Sequence, residues 1–328
     1  MADADARAAF VTGGSGFVGG ALIRRLVGEG RRVRALVRSD AATAKVAVLG
    51  AEPVRGDLVD AQAMEEAARG CSVAFHAAAQ VGAWGDRSVF ERINVDGTRA
   101  VLSGCRSAGV RRFVHVGTEA ALLAGDPLVA ADERTPLRPD SPAPYSATKA
   151  RAEADVLAAS RSGSFETVVV RPRFVWGAGD TSVLPILVEQ AQSGSLAWIG
   201  GGRQLTSTTH IDNTVHGLLL AAERGVPGSA YFVTDGPARP FREVVSGLLR
   251  TQGVEPPSRD IPRVVARALM EVGEAAWALL PLRGEPPLPR FGFWIASQEC
   301  TLIDARAREQ LGYEPVTSVA EGLAAMRA

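Results

Sequence analysis

Apolar positions along the first half of the chain fall into two alternating rhythms. Short runs of Val, Ala, Leu and Phe are followed by stretches in which apolar residues recur every third or fourth position. Such a pattern predicts buried strands joined by amphipathic helices, the signature of a parallel sheet covered on both faces. Ala8–Thr12 reads as the first strand, and a helix follows from Phe17 to about Val27, with Phe17, Ala21, Leu22 and Leu26 on one face and Arg24 and Arg25 on the other. Further strands are predicted over Arg32–Val37, Pro53–Arg55, Ser72–Ala77, Arg112–Val116 and Glu166–Val170. Helices are predicted between them over Ala41–Leu49, Asp60–Arg69, roughly Asp86–Ala108 and Tyr145–Ser160. Ala124–Pro144, rich in Pro, Asp and Gly, reads as a loop.

Beyond Pro172 the rhythm loosens. Leu184–Ser193 is helical, Gly200–Gly202 is a turn, and Thr208–Ile211 leads into a helix that Asp212 would cap. Ala230–Thr234 is a strand and Phe241–Gln252 a helix; Val264–Leu280 is amphipathic and Pro281–Pro289 a proline-heavy linker. The fold class expected is α/β: a Rossmann-type doubly wound parallel sheet over 1–175, completed by the strand near 230–234, with a smaller α/β substrate lobe over 176–328. No period of repeat-protein length is visible.

The first strand-to-helix junction carries Gly13-Gly14-Ser15-Gly16-Phe17-Val18-Gly19. Glycines there permit a tight turn and close approach of a pyrophosphate, and the helix N-terminus holds the anion; Gly13, Gly16, Phe17, Val18 and Gly19 are therefore expected at a dinucleotide. The second strand ends in Val37-Arg38 rather than in an acid. Valine removes repulsion against a 2′-phosphate and Arg38 supplies a forked cation, which favours NADP(H), with NAD(H) the alternative if Asp40 takes the ribose. Gly56-Asp57-Leu58 after the third strand places Asp57 either at the adenine or in a turn.

Tyr145 and Lys149 stand four residues apart on one predicted helix face. An ammonium beside a phenol favours the phenolate and lowers its pKa, and the phenol can then exchange a proton with a carbonyl or alcohol oxygen. Thr118, just past the fifth strand, would orient that oxygen. Glu119 is the acid nearest the reacting carbon and either contacts substrate or pairs within a loop.

Glycine turn, strand-end hydroxyl and Tyr-x-x-x-Lys together resemble the extended short-chain dehydrogenase/reductase superfamily, which includes the NAD-dependent epimerases and dehydratases. Arg171-Pro172-Arg173-Phe174-Val175-Trp176-Gly177, Thr208–Asn213 and the ending Ile303-Asp304…Leu311-Gly312-Tyr313-Glu314-Pro315 are similar to its 3β-hydroxysteroid dehydrogenase/isomerase-like branch. Val37-Arg38 also resembles the NADPH-dependent dihydroflavonol-4-reductase branch. The resemblance implies that Ala77, Ala78 and Ala79 lie beneath the cofactor, that Leu58, Pro172, Phe174 and Val175 contact it, and that Asn94 supports the active site. It places Val81, Trp84, Arg173 and Trp176 beside Glu119 at the substrate, and it implies a homodimer built on the helices over Asp86–Ala108 and Tyr145–Ser160. Gly117-Thr118 departs from the family's frequent Ser-Ser, and Val264–Leu280 carries Arg267, Glu271 and Glu274 where membrane-bound steroid enzymes have an apolar anchor. An ordinary helix packed on the second lobe is therefore expected there, the alternative being a lid or membrane-surface helix.

Composition narrows the field. The chain has 328 residues, 46% hydrophobic, with 36 basic and 36 acidic side chains and no net charge. Such a balance argues against an electrostatic nucleic-acid binder. No apolar stretch is long enough for an integral membrane segment. Met1–Phe10, acidic and running into a strand, does not read as a secretory signal. Cys71, Cys105 and Cys300 form no CxxC pair, and no metal spacing occurs. The expected location is the cytoplasm. His115 reads as a satisfied sheet residue, and His210 with Asp212 has no nucleophile elbow to serve. The activity expected is the NADP(H)-dependent interconversion of a secondary alcohol and a ketone on a small apolar substrate. The alternatives are a nucleotide-sugar epimerase or dehydratase, with Arg203 at a diphosphate, and a non-catalytic cofactor sensor.

Overall fold

The computed structural model describes residues 8–280 and 282–327. The amino-terminal stretch read as lacking a secretory signal lies mostly in residues 1–7, outside the described residues, as does Pro281 of the expected linker.

The strands are β1 (Ala9–Thr12), β2 (Val33–Val37), β3 (Glu52–Arg55), β4 (Val73–His76), β5 (Arg112–Val116), β6 (Leu128–Ala131), β7 (Glu166–Pro172), β8 (Val175–Trp176), β9 (Trp198–Ile199), β10 (Leu205–Thr206), β11 (Thr209–His210), β12 (Ser229–Val233), β13 (Arg239–Pro240), β14 (Asp260–Ile261) and β15 (Cys300–Leu302). Between them run α1 (Phe17–Gly28), α2 (Asp40–Val48), α3 (Ala61–Ala68), α4 (Arg87–Phe90), α5 (Gly97–Ser107), α6 (Pro144–Ala158), α7 (Leu184–Gln192), α8 (Ile211–Arg224), α9 (Phe241–Thr251), α10 (Arg263–Leu279), α11 (Arg290–Ser297), α12 (Ala305–Leu311) and α13 (Val319–Ala325).

A seven-stranded sheet in the order β12-β7-β5-β4-β1-β2-β3 forms the centre, every neighbour parallel. Side chains alternate across it. Val11, Val114 and Val170 meet Leu22 and Leu26 of α1 and Leu218 of α8 on one face. Phe10, Phe113 and Val169 meet Met64 of α3, Val101 of α5 and Val156 of α6 on the other. Burial on both sides is why these strands read as continuous apolar runs. The sheet order reverses between β1 and β4, and such a switch point leaves a crevice at the strands' carboxyl ends. The fold is the Rossmann-type doubly wound sheet.

Several expectations change. The loop over 124–144 contains β6, which joins β13, β10 and β15 in a four-stranded sheet. Its partner β15 lies far along the chain, so no local pattern announces the pairing. Between α4 and α5 the helix widens into a π-helical stretch, Glu91–Asp96. His210, not Asp212, caps α8: its Nδ1 accepts from the Asp212 N–H at 3.2 Å, which leaves the Asp212 side chain in the first turn. On α10 only Ala266 and Met270 are buried, while Val264 and Leu279 are about four-fifths exposed. No described helix is long and apolar enough to cross a membrane.

Candidate active site

A cavity of about 1190 Å³ opens at the carboxyl ends of the central strands. Gly13, at φ +72°, begins its floor, and a Cβ there would stand 2.6 Å from the Ala78 nitrogen. A Cβ on Gly19 would stand 2.2 Å from the Gly13 carbonyl oxygen, so helix and turn meet this closely only because residue 19 is glycine. Gly16 differs. A Cβ on it would have one near neighbour, Gly13 O at 3.3 Å, and would otherwise project into space that an anion needs. No side chain caps α1, which leaves its first-turn N–H groups for that anion. These features fit a dinucleotide.

The structure brings the expected cofactor residues to this one cavity: Gly13, Gly16, Phe17, Val18, Gly19, Arg38, Asp57, Leu58, Ala77, Ala78, Ala79, Tyr145, Lys149, Pro172, Phe174 and Val175. His76 pins the alanine segment from behind, with Nδ1 2.7 Å from Thr12 Oγ1 and Nε2 2.9 Å from Thr98 Oγ1. Burial, with Lys149 nearby, lowers its pKa to about 3 and keeps the ring neutral. Asp57 accepts from Arg92 at 3.0 Å and from the Val59 N–H at 3.4 Å. At the same rim stand Ser39, Lys45 and Arg55. Asp40 pairs with Arg55 and is not part of the lining. Phe174 takes φ +42°, a rare conformation for a bulky residue and one that clusters at functional sites.

Tyr145 and Lys149 both face the cavity from α6, with Thr118 and Glu119 beside them. Lys149 is almost wholly buried; its Nζ donates to Val116 O at 2.9 Å and lies 3.1 Å from His115 Nε2. His115 is thus tied to the site, and its Nδ1 has no partner, unlike the satisfied sheet residue expected. Burial, and then the charges of Lys149 and His76, hold the His115 pKa far below the usual histidine range. Burial brings Lys149 down to about 8, against an opposing pull from Glu153.

The expected lowering of the phenol pKa is not seen. Burial and the Glu119 carboxylate push Tyr145 well upward, and the neighbouring Thr118 hydroxyl offsets this only in part. Lys149 meanwhile gives one of its hydrogens to Val116 O. Glu119 resolves into a buried ion pair, with Arg173 Nη1 at 2.5 Å from its Oε1. The Thr118 hydroxyl donates to its Oε2 at 2.8 Å.

The lysine carries a pH consequence. Its folded pKa, about 8, lies below the ordinary 10.5, so within that window the unfolded chain holds the proton and the folded chain does not. Native stability from this group is expected to rise with pH across the window. Lys149→Met should remove that part of the slope, as read by urea unfolding on both sides of the window; an unchanged slope would refute the buried ammonium.

Asn94 stands behind the wall in the π-helical stretch. Its Oδ1 accepts from the Gln80 N–H at 2.7 Å and its Nδ2 donates to Gln80 O and to Thr148 Oγ1, each at 3.1 Å. It steadies Gln80, which lines the cavity, and does not itself reach the interior. Val81 and Glu119 line the cavity, but the other expected substrate contacts, Trp84, Arg173 and Trp176, do not. Trp84 is half-buried in the loop before α4. Arg173 sits beneath Glu119, with its Nε 3.1 Å from Thr206 Oγ1. Trp176 turns the other way, donating to Asp235 at 2.7 Å and standing edge-on to His210. In their place come Thr181, Ser182 and Val183 ahead of α7, and Phe291 and Ile295 of α11. Phe291 meets the Tyr145 ring edge-on, with centroids 5.4 Å apart. The apolar Phe291–Ile295 run was the one signal for this wall. Arg203 lines a separate cavity of about 590 Å³.

The model of the 3-beta hydroxysteroid dehydrogenase/isomerase family matches residues 10–263. A 4-hydroxy-2-methyl-3-oxo-4-farnesyl-3,4-dihydroquinoline-1-oxide ketoreductase of Stigmatella aurantiaca is 46% identical over 318 residues, covering 97% of this chain and 95% of its own. A 2-alkyl-3-oxoalkanoate reductase of Stenotrophomonas maltophilia is 41% identical over 329 residues, covering 97% and 98%. Among solved structures, a dTDP-glucose 4,6-dehydratase from Streptomyces venezuelae with NAD bound superposes with a TM-score of 0.75 at 25% identity, covering 97% of this chain and 95% of that one.

Proposed function

The chain belongs to the 3-beta hydroxysteroid dehydrogenase/isomerase family, and from that premise we propose that it reduces an apolar ketone to a secondary alcohol with NADPH. That it is a nicotinamide-nucleotide oxidoreductase acting between alcohol and ketone follows from its relatives. The observation that carries the finer reading is that Tyr145, Lys149 and Thr118 open into the same cavity as the glycine turn.

Reduction adds a hydride at the carbonyl carbon and a proton at its oxygen, and the bound nicotinamide supplies the hydride. Tyr145 gives the proton; a phenol whose pKa is pushed upward is held in the protonated, donating form. Thr118 stands beside Tyr145 in the lining, and Lys149, anchored on Val116, would hold the nicotinamide ribose. Phe174, Val183, Phe291 and Ile295 offer an apolar surface to the substrate. The epimerase alternative loses support, because Arg203 opens into a different cavity from Tyr145.

NADPH is favoured over NADH by the rim. Arg38 lines the cavity with no acidic partner among the described residues, whereas Asp40, the acid that would take a ribose hydroxyl, is engaged by Arg55. Arg38→Ala should weaken NADPH binding about tenfold to a hundredfold and leave NADH almost unchanged, since a charge-assisted contact is lost only with the phosphate. Titration of both cofactors by fluorescence reads this directly. Loss of absorbance at the nicotinamide band with a panel of apolar ketones tests the activity; a protein that binds NADPH yet reduces none of them is not the reductase proposed.

A further inference from the structure

Resting on this reductase reading, we propose that Glu119 selects ketones carrying a hydrogen-bond donor, such as a hydroxyl, on the carbon next to the carbonyl, and disfavours those carrying a carboxylate there. Glu119 lines the cavity immediately after Thr118, while its ion partner Arg173 lies behind it, 1% exposed and outside the lining. The pair, at 2.5 Å, is neutral as a whole, and only its Glu119 end, with a side chain 5% exposed, belongs to the cavity lining.

Thr118 is committed in the same direction. Its hydroxyl gives its hydrogen to Glu119 at 2.8 Å and accepts from the Ala120 N–H at 3.2 Å. It therefore presents an acceptor to the cavity, not a donor. Each Glu119 oxygen has one partner in the structure and retains capacity for another. The wall beside Tyr145 thus pairs one donor, the phenol, with adjacent acceptors. A carbonyl oxygen takes the phenol's hydrogen. A neighbouring hydroxyl completes Glu119, whereas a neighbouring carboxylate meets a like charge in a poorly solvated place.

The test compares three ketones of one chain length, 5-hydroxy-4-octanone, 4-octanone and 3-oxooctanoate, by kcat/KM with the wild-type protein and Glu119→Gln. Wild type should favour the hydroxyketone over 4-octanone by about tenfold or more, as a charge-assisted hydrogen bond would give, and take 3-oxooctanoate least readily. Glu119→Gln should flatten that order and raise the relative rate on 3-oxooctanoate. Should Glu119→Gln fold poorly, the wild-type order decides alone. Turnover with 3-oxooctanoate at or above the hydroxyketone, or an unaltered order in a folded Glu119→Gln protein, overturns the inference. Failure of wild type to reduce any of the three overturns the reductase reading, and this inference with it.

Discussion

Replacing Tyr145 by phenylalanine is expected to lower kcat by a factor of about 10²–10⁴, the usual contribution of a positioned general acid, while the Kd for NADPH scarcely moves. The ring is retained, so its edge contact with Phe291, at 5.4 Å between centroids, and the apolar wall survive. Only the hydroxyl disappears. Glycine turn, rim and Lys149 are untouched, and in the function proposed here cofactor affinity rests on them. Steady-state kinetics on any ketone found to be a substrate, together with a fluorescence titration of the cofactor, separate the two effects. Turnover within threefold of wild type would remove Tyr145 from the chemistry; a lost cofactor affinity would show the phenol to be a binding group instead.

The second large effect concerns stability. Arg171 and Glu153 form an ion pair in the core between β7 and α6, with side chains 3% and 0% exposed, and Arg171 Nε donates to Glu153 Oε1 at 2.8 Å. Arg171 also lies over the Phe232 ring at 5.2 Å. Arg171→Met should cost about 3–5 kcal/mol, because it leaves a carboxylate buried without its cation. Adding Glu153→Leu should restore much of that loss, since removing both charges ends the mismatch. Urea unfolding of the two single variants and the double variant measures the coupling. A loss below about 1 kcal/mol for Arg171→Met would mean that Glu153 is readily neutralised or hydrated, against its burial in the structure.

Much of the architecture was legible because its signals are local. A buried parallel strand announces itself through its own apolar run, and the glycine turn and Tyr145–Lys149 spacing each lie within a few residues. What escaped was tertiary. β6 is a strand only because β15 pairs with it, and Phe291 and Ile295 reach the cavity only because α11 folds back across it. Trp176 belongs to a short strand whose direction of facing depends on β11, and it points to Asp235. The tyrosine's protonation was misjudged for a related reason. Residue spacing brings an ammonium near a phenol, but burial and the charge of Glu119 decide the sign.

The far wall has a consequence for how such proteins diversify. Phe291 and Ile295 sit on a short helix spliced between a proline-rich stretch and β15, well removed in sequence from Tyr145, Lys149 and the glycine turn. Evolution, or an engineer, can therefore exchange that cassette to accept a bulkier or slimmer guest without disturbing Tyr145, Lys149 or the glycine turn.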